Sequence, residues 1–187
     1  MLQIVRRLMI VAALVPSVAA AADQGTWVEM DVWDVYHMDD GQNVVLLRTK
    51  GTSPRILPIW IGEAEAVAIQ LRLSRQLPPR PLTHDLLERL IKTLGARVLK
   101  IHVESLRERV FLGRVFLKQG SQTYDIDARP SDSIALALGA RAPIFVSRTV
   151  LDEAGVETGP APADGKDPAQ VEDLLRRVRR IGKGTSL

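Results

Sequence analysis

The segment 131–138 constrains the fold more than any other part of the chain. Its sequence, SDSIALAL, is apolar around most of the helical circumference, and Pro130 stands where prolines commonly begin a helix. A helix without a broad polar face has to be covered by neighbouring elements. The sequence therefore predicts a short buried helix around which the rest of the domain packs.

Strand patterns surround this helix. Turn residues at 39–41 and 50–52 join the first three strands into a meander. The predicted strands are 27–37, 43–48, 55–61, 98–104, 110–117, 123–128 and 142–146. The expected fold class is α+β, with a mixed or antiparallel β-sheet and helices packed on it in one domain, residues 23–156.

Two more helices are predicted between the meander and the later strands. The first covers about 62–76, and the second begins with Thr83 as its N-cap and ends at Gly95. In the first helix, the expected apolar face is Ala64, Val67, Ala68 and Leu71, with Arg72 and Arg75 on the polar face. In the second, the stripe expected to be buried is Leu86, Leu87, Leu90, Ile91 and Leu94.

Residues 1–22 have the three-part pattern of a secretory signal peptide. Arg6 and Arg7 precede an apolar run over 8–15, and the alanines at 19–22 offer small-residue cleavage sites. The apolar run is shorter than the ~20 residues that a bilayer-spanning helix needs. We therefore expect an exported, periplasmic protein that begins near Asp23 and keeps no integral membrane span after signal cleavage.

The C-terminal region has a composition of its own. Residues 157–167 have the Gly, Pro and Ala content of a linker, and residues 168–182 form an amphipathic basic helix. This helix either docks on the domain through its apolar stripe or contacts nucleic acid, anionic lipid or an acidic partner. We favour docking, because one apolar stripe is ordinary for a surface helix.

Composition limits the functions open to this chain. It has 25 Lys and Arg against 22 Asp and Glu, and two of the arginines belong to the predicted signal peptide. Attraction to nucleic acid must therefore come from a local patch rather than from the net charge. The absence of cysteine excludes disulfides and thiol nucleophiles, and no HExxH, GxxxxGK or GxGxxG motif is present.

Carboxylates are the main residues able to carry chemistry. Asp125 and Asp127 are two apart on a predicted strand, so both point to one face while Ile126 faces the core. Asp132 follows in the first turn of the next helix. Such oxygens can hold Mg²⁺ or Mn²⁺, which would neutralise the transition state of phosphodiester hydrolysis and activate water.

Three of the polar residues also have structural interpretations. Arg129 can bind phosphate through its guanidinium fork, or pair with Asp127 or Asp132 and fix the corner between strand and helix. Asp132 can instead compensate the helix dipole. His84 can act as a general base or metal ligand, or cap its helix or bond a backbone carbonyl. Both interpretations remain open at this point.

Three motifs carry a resemblance to a known family. They are RILPIWIGEAEA at 55–66, RPLTHDLL at 80–87 and IDARPSDSIALALGARAPIFVS at 126–147. In order and spacing they closely resemble the bifunctional nuclease (BFN) domain family, from about residue 27 to 155. The resemblance implies a nuclease that acts on DNA and RNA phosphodiester bonds with low sequence specificity. Glu65, unlike Glu63, fits the family-like pattern IGxxE.

The site residues that we expect follow from side-chain chemistry and position within these motifs. The expected catalytic residues are His84, Asp85 and Arg129. The expected metal ligands are Asp127, Asp132 and Glu65, with Asp85 as a further carboxylate near the cation. The metal would be Mg²⁺ or Mn²⁺, and the partner would be nucleic acid.

A rival hypothesis from another class is a non-catalytic oligomeric binding or scaffold domain. The near-neutral charge, the lack of clustered histidines and apolar strand positions such as Trp33 suit an interface. A homo-oligomer is expected. The enzymatic hypothesis requires the start of the helix at 83 and the corner near 129 to meet at a negatively charged pocket.

Overall fold

A computed structural model describes residues 26–51, 53–157 and 168–182. The predicted signal peptide and nearly all of the predicted linker lie outside these residues. The strands are β1 (Trp27–His37), β2 (Asn43–Thr49), β3 (Arg55–Ile61), β4 (Ala96–Arg107), β5 (Val110–Gln119), β6 (Gln122–Ala128), β7 (Ile144–Ser147) and β8 (Val156–Glu157). The helices are α1 (Glu63–Leu73), α2 (Thr83–Thr93), α3 (Pro130–Ala140), α4 (Arg148–Ala154) and α5 (Pro168–Gly182).

All eight strands belong to one sheet, in the order β6-β5-β4-β7-β1-β2-β3-β8. Neighbouring strands are antiparallel except for β4 and β7, which are parallel. The β1-β2-β3 meander is as predicted, whereas the short strand β8 was not predicted and adds an edge beside β3. The predicted α+β fold with a mixed sheet is confirmed.

Helix α3 lies in the centre of the main core. Its residues Ile134, Ala135 and Ala137 are fully buried, and the helix packs on β4 and β5 with α1 and α2 beside it. An apolar helix of this kind is stable only when neighbours cover it on several sides. The prediction of a buried central helix is confirmed.

The two flanking helices bury only part of the faces predicted for them. In α1 the buried residues are Ala66, Ala68 and Ile69, whereas Val67 is 44% exposed. In α2 the buried residues are His84 and Ile91. The four leucines of its predicted buried stripe are 41% to 68% exposed: Leu86, Leu87, Leu90 and Leu94. Ala68 and Ile91 are buried as predicted, whereas Val67 and the four leucines were predicted wrongly, because an apolar stripe does not specify which neighbour, if any, covers it.

Helix α5 covers part of the opposite face of the sheet. Leu174 and Val178 are buried against a cluster that includes Val44 and Ile56, on the outer side of β2 and β3. The apolar stripe of this helix is therefore docked on the sheet, the interpretation that the sequence favoured. Trp33, predicted as an exposed interface residue, is partly buried in the same cluster. Among the described helices, none combines the length and the apolar character needed to cross a bilayer.

Candidate active site

Helices α1, α2 and α3 begin at the three sequence motifs. Their N-cap residues are Gly62, Leu82 and Arg129. Each helix has an acidic side chain at its third helical position, where a carboxylate offsets the positive end of the helix dipole. These carboxylates are Glu65 in α1, Asp85 in α2 and Asp132 in α3.

Arg129 joins two of these helix starts. Its Nε donates to Asp132 Oδ2 at 2.7 Å, and its Nη2 donates to Asp132 Oδ1 at 3.1 Å and to Glu65 Oε1 at 2.6 Å. The hydrogen bonds to Asp132 and Glu65 raise the pKa of Arg129. Within the described part of the chain, Nη1 has no hydrogen-bond partner, and the side chain is 66% exposed. An oriented cation therefore presents one edge to solvent.

His84 contacts the same carboxylate. Its Nε2 lies 3.0 Å from Asp132 Oδ1, and the residue is 8% exposed. Burial raises the pKa of Asp132, but hydrogen bonds from Arg129 and His84 outweigh this effect and lower the pKa overall. An ionised Asp132 is an acceptor only, so a neutral His84 carries its proton on Nε2 and has Nδ1 as its basic nitrogen.

Gly62 explains the spacing of the IGxxE pattern. A Cβ at position 62 would lie 2.4 Å from Oε2 of Glu65, so a larger residue would displace that carboxylate. The Glu65 side chain is 13% exposed and folds back over the start of α1 to meet Arg129. Glu63, which does not fit the pattern, is exposed.

Asp85 belongs to an adjacent network. Its Oδ2 accepts the backbone N–H of Leu82 at 2.9 Å, and Leu82 rather than Thr83 is the N-cap of α2. Its Oδ1 accepts from Arg72 Nη2 at 2.7 Å, while Arg72 Nη1 donates to Glu88 at 3.3 Å. The prediction of Thr83 as N-cap was wrong. The side chain of Asp85, at the third helical position, accepts the backbone N–H of Leu82, and Leu82 is therefore the residue that caps the helix start.

Asp127 lies on the other face of the sheet. It is the cross-strand partner of Arg114, which is in turn the partner of His102, so these three side chains share one face. Helix α3 packs on the opposite face, where Val115 belongs to the main core. Asp127 is exposed and separated by the sheet from Asp132, with which it was expected to share a cation.

The neighbouring Ile126 is also placed differently from the prediction. It points to the helical side, as the cross-strand partner of Val115, but it is 43% exposed. The reason is that β6 is an edge strand and extends beyond the cover of the helices. Its prediction as a core residue was wrong.

The carboxylates of this network are oxygen ligands of the kind that Mg²⁺ and Mn²⁺ bind. Their arrangement nevertheless does not fit the predicted ligand set of Glu65, Asp127 and Asp132. In the residues that the structure describes, no three His, Cys, Asp or Glu side chains converge to hold a metal ion. The guanidinium of Arg129 bridges Glu65 and Asp132, where a shared cation would lie. The expected acidic pocket is thus an ion-paired network of two carboxylates and one guanidinium, and the guanidinium has an exposed edge.

Gly113 supports the site from β5 and was not predicted from the sequence. A Cβ there would lie 2.9 Å from the carbonyl oxygen of Ala128 and 3.2 Å from the nitrogen of Pro130. The glycine therefore lets the corner between β6 and α3, which carries Arg129, pack closely against β5. A single glycine inside a strand pattern is the signal that could have found it.

Comparisons with known proteins identify the same region. The bifunctional nuclease domain profile matches residues 45–159. An uncharacterised protein of Mycobacterium tuberculosis is 43% identical over 115 residues, which cover 62% of this chain and 68% of that protein. Bifunctional nuclease 2 of Oryza sativa subsp. japonica is 27% identical over 120 residues, covering 63% and 37% of the two chains. Bifunctional nuclease 1 of Arabidopsis thaliana is 24% identical over 129 residues, covering 64% and 40%.

The profile match includes all three helix starts and the Arg129 corner. This chain spans no more than 40% of the length of the rice and Arabidopsis proteins just described. The resemblance predicted from the three motifs is confirmed, and the region is a nuclease-type domain. The chain belongs to the bifunctional nuclease domain family.

Proposed function

We propose that this protein hydrolyses the phosphodiester bonds of DNA and RNA with low sequence specificity, with Mg²⁺ or Mn²⁺ as cofactor. The observation that carries the proposal is the exposed edge of Arg129 beside the His84–Asp132 pair, at a point where helix starts meet. Guanidinium groups bind phosphate. The family, and the names of the rice and Arabidopsis relatives, support the same activity.

Each residue of the network has a role in the proposed reaction. Arg129 binds the scissile phosphate and stabilises the charge that develops on its oxygens. Nδ1 of His84 accepts the proton of the attacking water, while Asp132 orients the imidazole and stabilises its cation. Contacts to phosphate carry no base information, which accounts for the low sequence specificity. A bound metal ion would neutralise phosphate charge.

Cleavage assays on purified protein from a nuclease-deficient host test this proposal. Single-stranded and duplex DNA and RNA are incubated with Mg²⁺, Mn²⁺ or EDTA, and cleavage is expected only with a metal. His84→Gln and Arg129→Gln are each expected to lower the rate by about 100-fold. Glu153→Gln removes an exposed carboxylate of α4 and serves as the matched control, with the parental rate.

Two results would contradict parts of this proposal. Parental rates in both His84→Gln and Arg129→Gln would mean that the reaction takes place elsewhere. Full activity in EDTA would exclude the metal requirement while leaving the assignment of the two residues intact.

Export to the periplasm is part of the same proposal. Its support is the signal-peptide pattern of residues 1–22, which lie outside the described residues. Fractionation of a Gram-negative host that expresses the full chain tests it, together with N-terminal sequencing. We expect a periplasmic product that begins near Asp23. A cytoplasmic product that retains Met1 would contradict export.

A second candidate function, an oligomeric scaffold, is supported by the outer surface of α2. The four exposed leucines of this helix form an apolar patch of the kind that marks interaction sites: Leu86, Leu87, Leu90 and Leu94. A second copy of this chain would cover the patch by packing its own α2 against it across a twofold axis.

Light scattering on the parent and on Leu86→Glu/Leu90→Glu tests the oligomer. We expect a dimer for the parent and a monomer for the double variant. Val110→Glu, at an apolar residue that is 54% exposed outside α2, is the control and is expected to remain dimeric. A parent that stays monomeric at micromolar concentration would exclude the scaffold. A dimeric parent without nuclease activity would favour it over the enzyme.

A further inference from the structure

Arg72 lies in the last turn of α1 inside the helical layer, although the sequence places it on the polar face. Its side chain is only 14% exposed. Nη2 donates to Asp85 Oδ1 at 2.7 Å, and Nη1 donates to Glu88 Oε2 at 3.3 Å. Because Asp85 and Glu88 are three residues apart, they are neighbours on one side of α2. A single guanidinium therefore holds α2 at two successive points.

Gly139 of α3 provides the surface on which this guanidinium lies. A Cβ at position 139 would be 1.5 Å from Nη1 and 2.4 Å from Cζ of Arg72, and 2.4 Å from Oε2 of Glu88. Glycine inside a helix costs about 1 kcal/mol relative to alanine, and this close contact gives a physical reason for its presence. Gly139 is in the last turn of α3, where the helix dipole favours a cation.

Asp85 connects Arg72 to the candidate active site. Its second oxygen accepts the backbone N–H of Leu82 at 2.9 Å, so the carboxylate that Arg72 holds also closes the first turn of α2. His84 is the preceding residue in that turn, and its Nε2 is 3.0 Å from Asp132. A rotation of this turn would move the imidazole away from Asp132.

We propose that Arg72, seated on Gly139, is a positioning residue for His84. It holds the first turn of α2 at the rotation that places the imidazole on Asp132 of α3. The catalytic consequence rests on the proposed function, because only there does His84 take part in a reaction. The orientation of the ring is a property of the folded protein, and it is measurable without substrate.

Nitrogen-15 NMR of the histidine rings tests this proposal in the parent, Arg72→Met and Gly139→Ala. His84→Gln assigns the signals by the loss of one ring, and Asp132→Ala gives the pattern of a ring without its acceptor. We expect both test variants to shift the His84 signals toward the Asp132→Ala pattern, while His37 and His102 stay unchanged. Arg89→Met removes an exposed cation of α2 and is expected to leave all three rings unchanged.

The expected kinetic effect is a fall in kcat of about 10- to 100-fold with little change in KM, because a displaced catalytic group slows the chemistry more than the binding. Arg72→Lys is the second variant should Arg72→Met not fold. It keeps the charge but cannot hold both carboxylates, so a smaller shift of the same sign is expected.

Unchanged His84 signals in a folded Arg72 variant and in Gly139→Ala would overturn the positioning role. The failure of the proposed function has a different signature. In that case the parent cleaves no nucleic acid, although the His84 signals still respond to Arg72 and Gly139 as expected.

Discussion

Two arginines on opposite faces of the sheet are each held by two carboxylates, yet their surroundings differ. Arg129 lies where helices begin, and its partners Glu65 and Asp132 have side chains that are 13% and 31% exposed. Arg114 lies on the open sheet, and its partners Glu104 and Asp125 are 29% and 48% exposed. In both cases the hydrogen bonds to the carboxylates raise the pKa of the arginine.

The comparison shows that an arginine–carboxylate cluster does not by itself mark a functional site. Arg114 of β5 bridges Glu104 of β4 and Asp125 of β6, and so ties the edge strand to the sheet. Arg129 instead shares Asp132 with a buried histidine, and its free edge lies at a helix N-terminus. What distinguishes the two clusters is the neighbourhood that the tertiary fold provides.

The largest expected effect compares the two arginines directly. Arg129→Gln should lower the rate of nucleic-acid cleavage by about 100-fold, because it removes the oriented phosphate ligand. Arg114→Gln should change the rate by less than about twofold, since an exposed ion pair contributes little. Initial rates on single-stranded DNA measure both. Equal losses in the two variants would remove the distinction between the faces.

The next largest effect concerns the glycine adjacent to Arg114. Gly113→Ala is expected to reduce the free energy of unfolding by about 2 kcal/mol, because the added methyl meets backbone atoms at Ala128 and Pro130. Urea unfolding monitored by tryptophan fluorescence measures it. Unchanged stability would mean that the corner carrying Arg129 does not depend on close approach to β5.

A smaller effect is expected for Asp132→Asn, a fall in the cleavage rate of about tenfold. The substitution should also change how the free energy of unfolding depends on pH. Folding lowers the pKa of Asp132, so its ion pair stabilises the protein above the unfolded pKa of about 3.9. That contribution is lost as the pH falls through the folded pKa. The parent should therefore be more stable than Asp132→Asn near neutral pH, with a difference that shrinks below about pH 4.

Urea unfolding at a series of pH values measures this difference. Asp125→Asn, which removes a more exposed partner of Arg114, is the matched variant on the other face and should change stability less. If the difference in free energy of unfolding between the parent and Asp132→Asn stayed the same in acid, the assigned ion pair would be contradicted.

The smallest expected effect is that of Asp127→Asn, a change in cleavage rate of less than about twofold. The reason is that Asp127 is exposed on the sheet face opposite to α3 and His84. The same assay measures it, next to Asp132→Asn. A loss with Asp127→Asn as large as that with Asp132→Asn would restore Asp127 as a metal ligand and would require a different arrangement of the two residues.

Much of the fold was predictable because its signals are local. Strand alternation, the turns of the meander and the apolar helix after Pro130 each lie within about ten residues of sequence. The covering of helix faces was not predictable. The side chain of Arg72 is only 14% exposed because Asp85 and Glu88 satisfy its charge, and the apolar Leu90 is 50% exposed because the described helices and strands leave half of it uncovered.

Sequence alone places the start of each of the three helices to within one residue and an acidic side chain in each first turn, since Gly62, Pro130 and the acidic residues act on their own turns. Only the tertiary structure decided that Arg129 meets Glu65, 64 residues away in the chain, and that Asp127 faces away from Asp132. The physical reason is that contacts between distant segments depend on how strands pair and helices pack, which no short stretch of residues encodes.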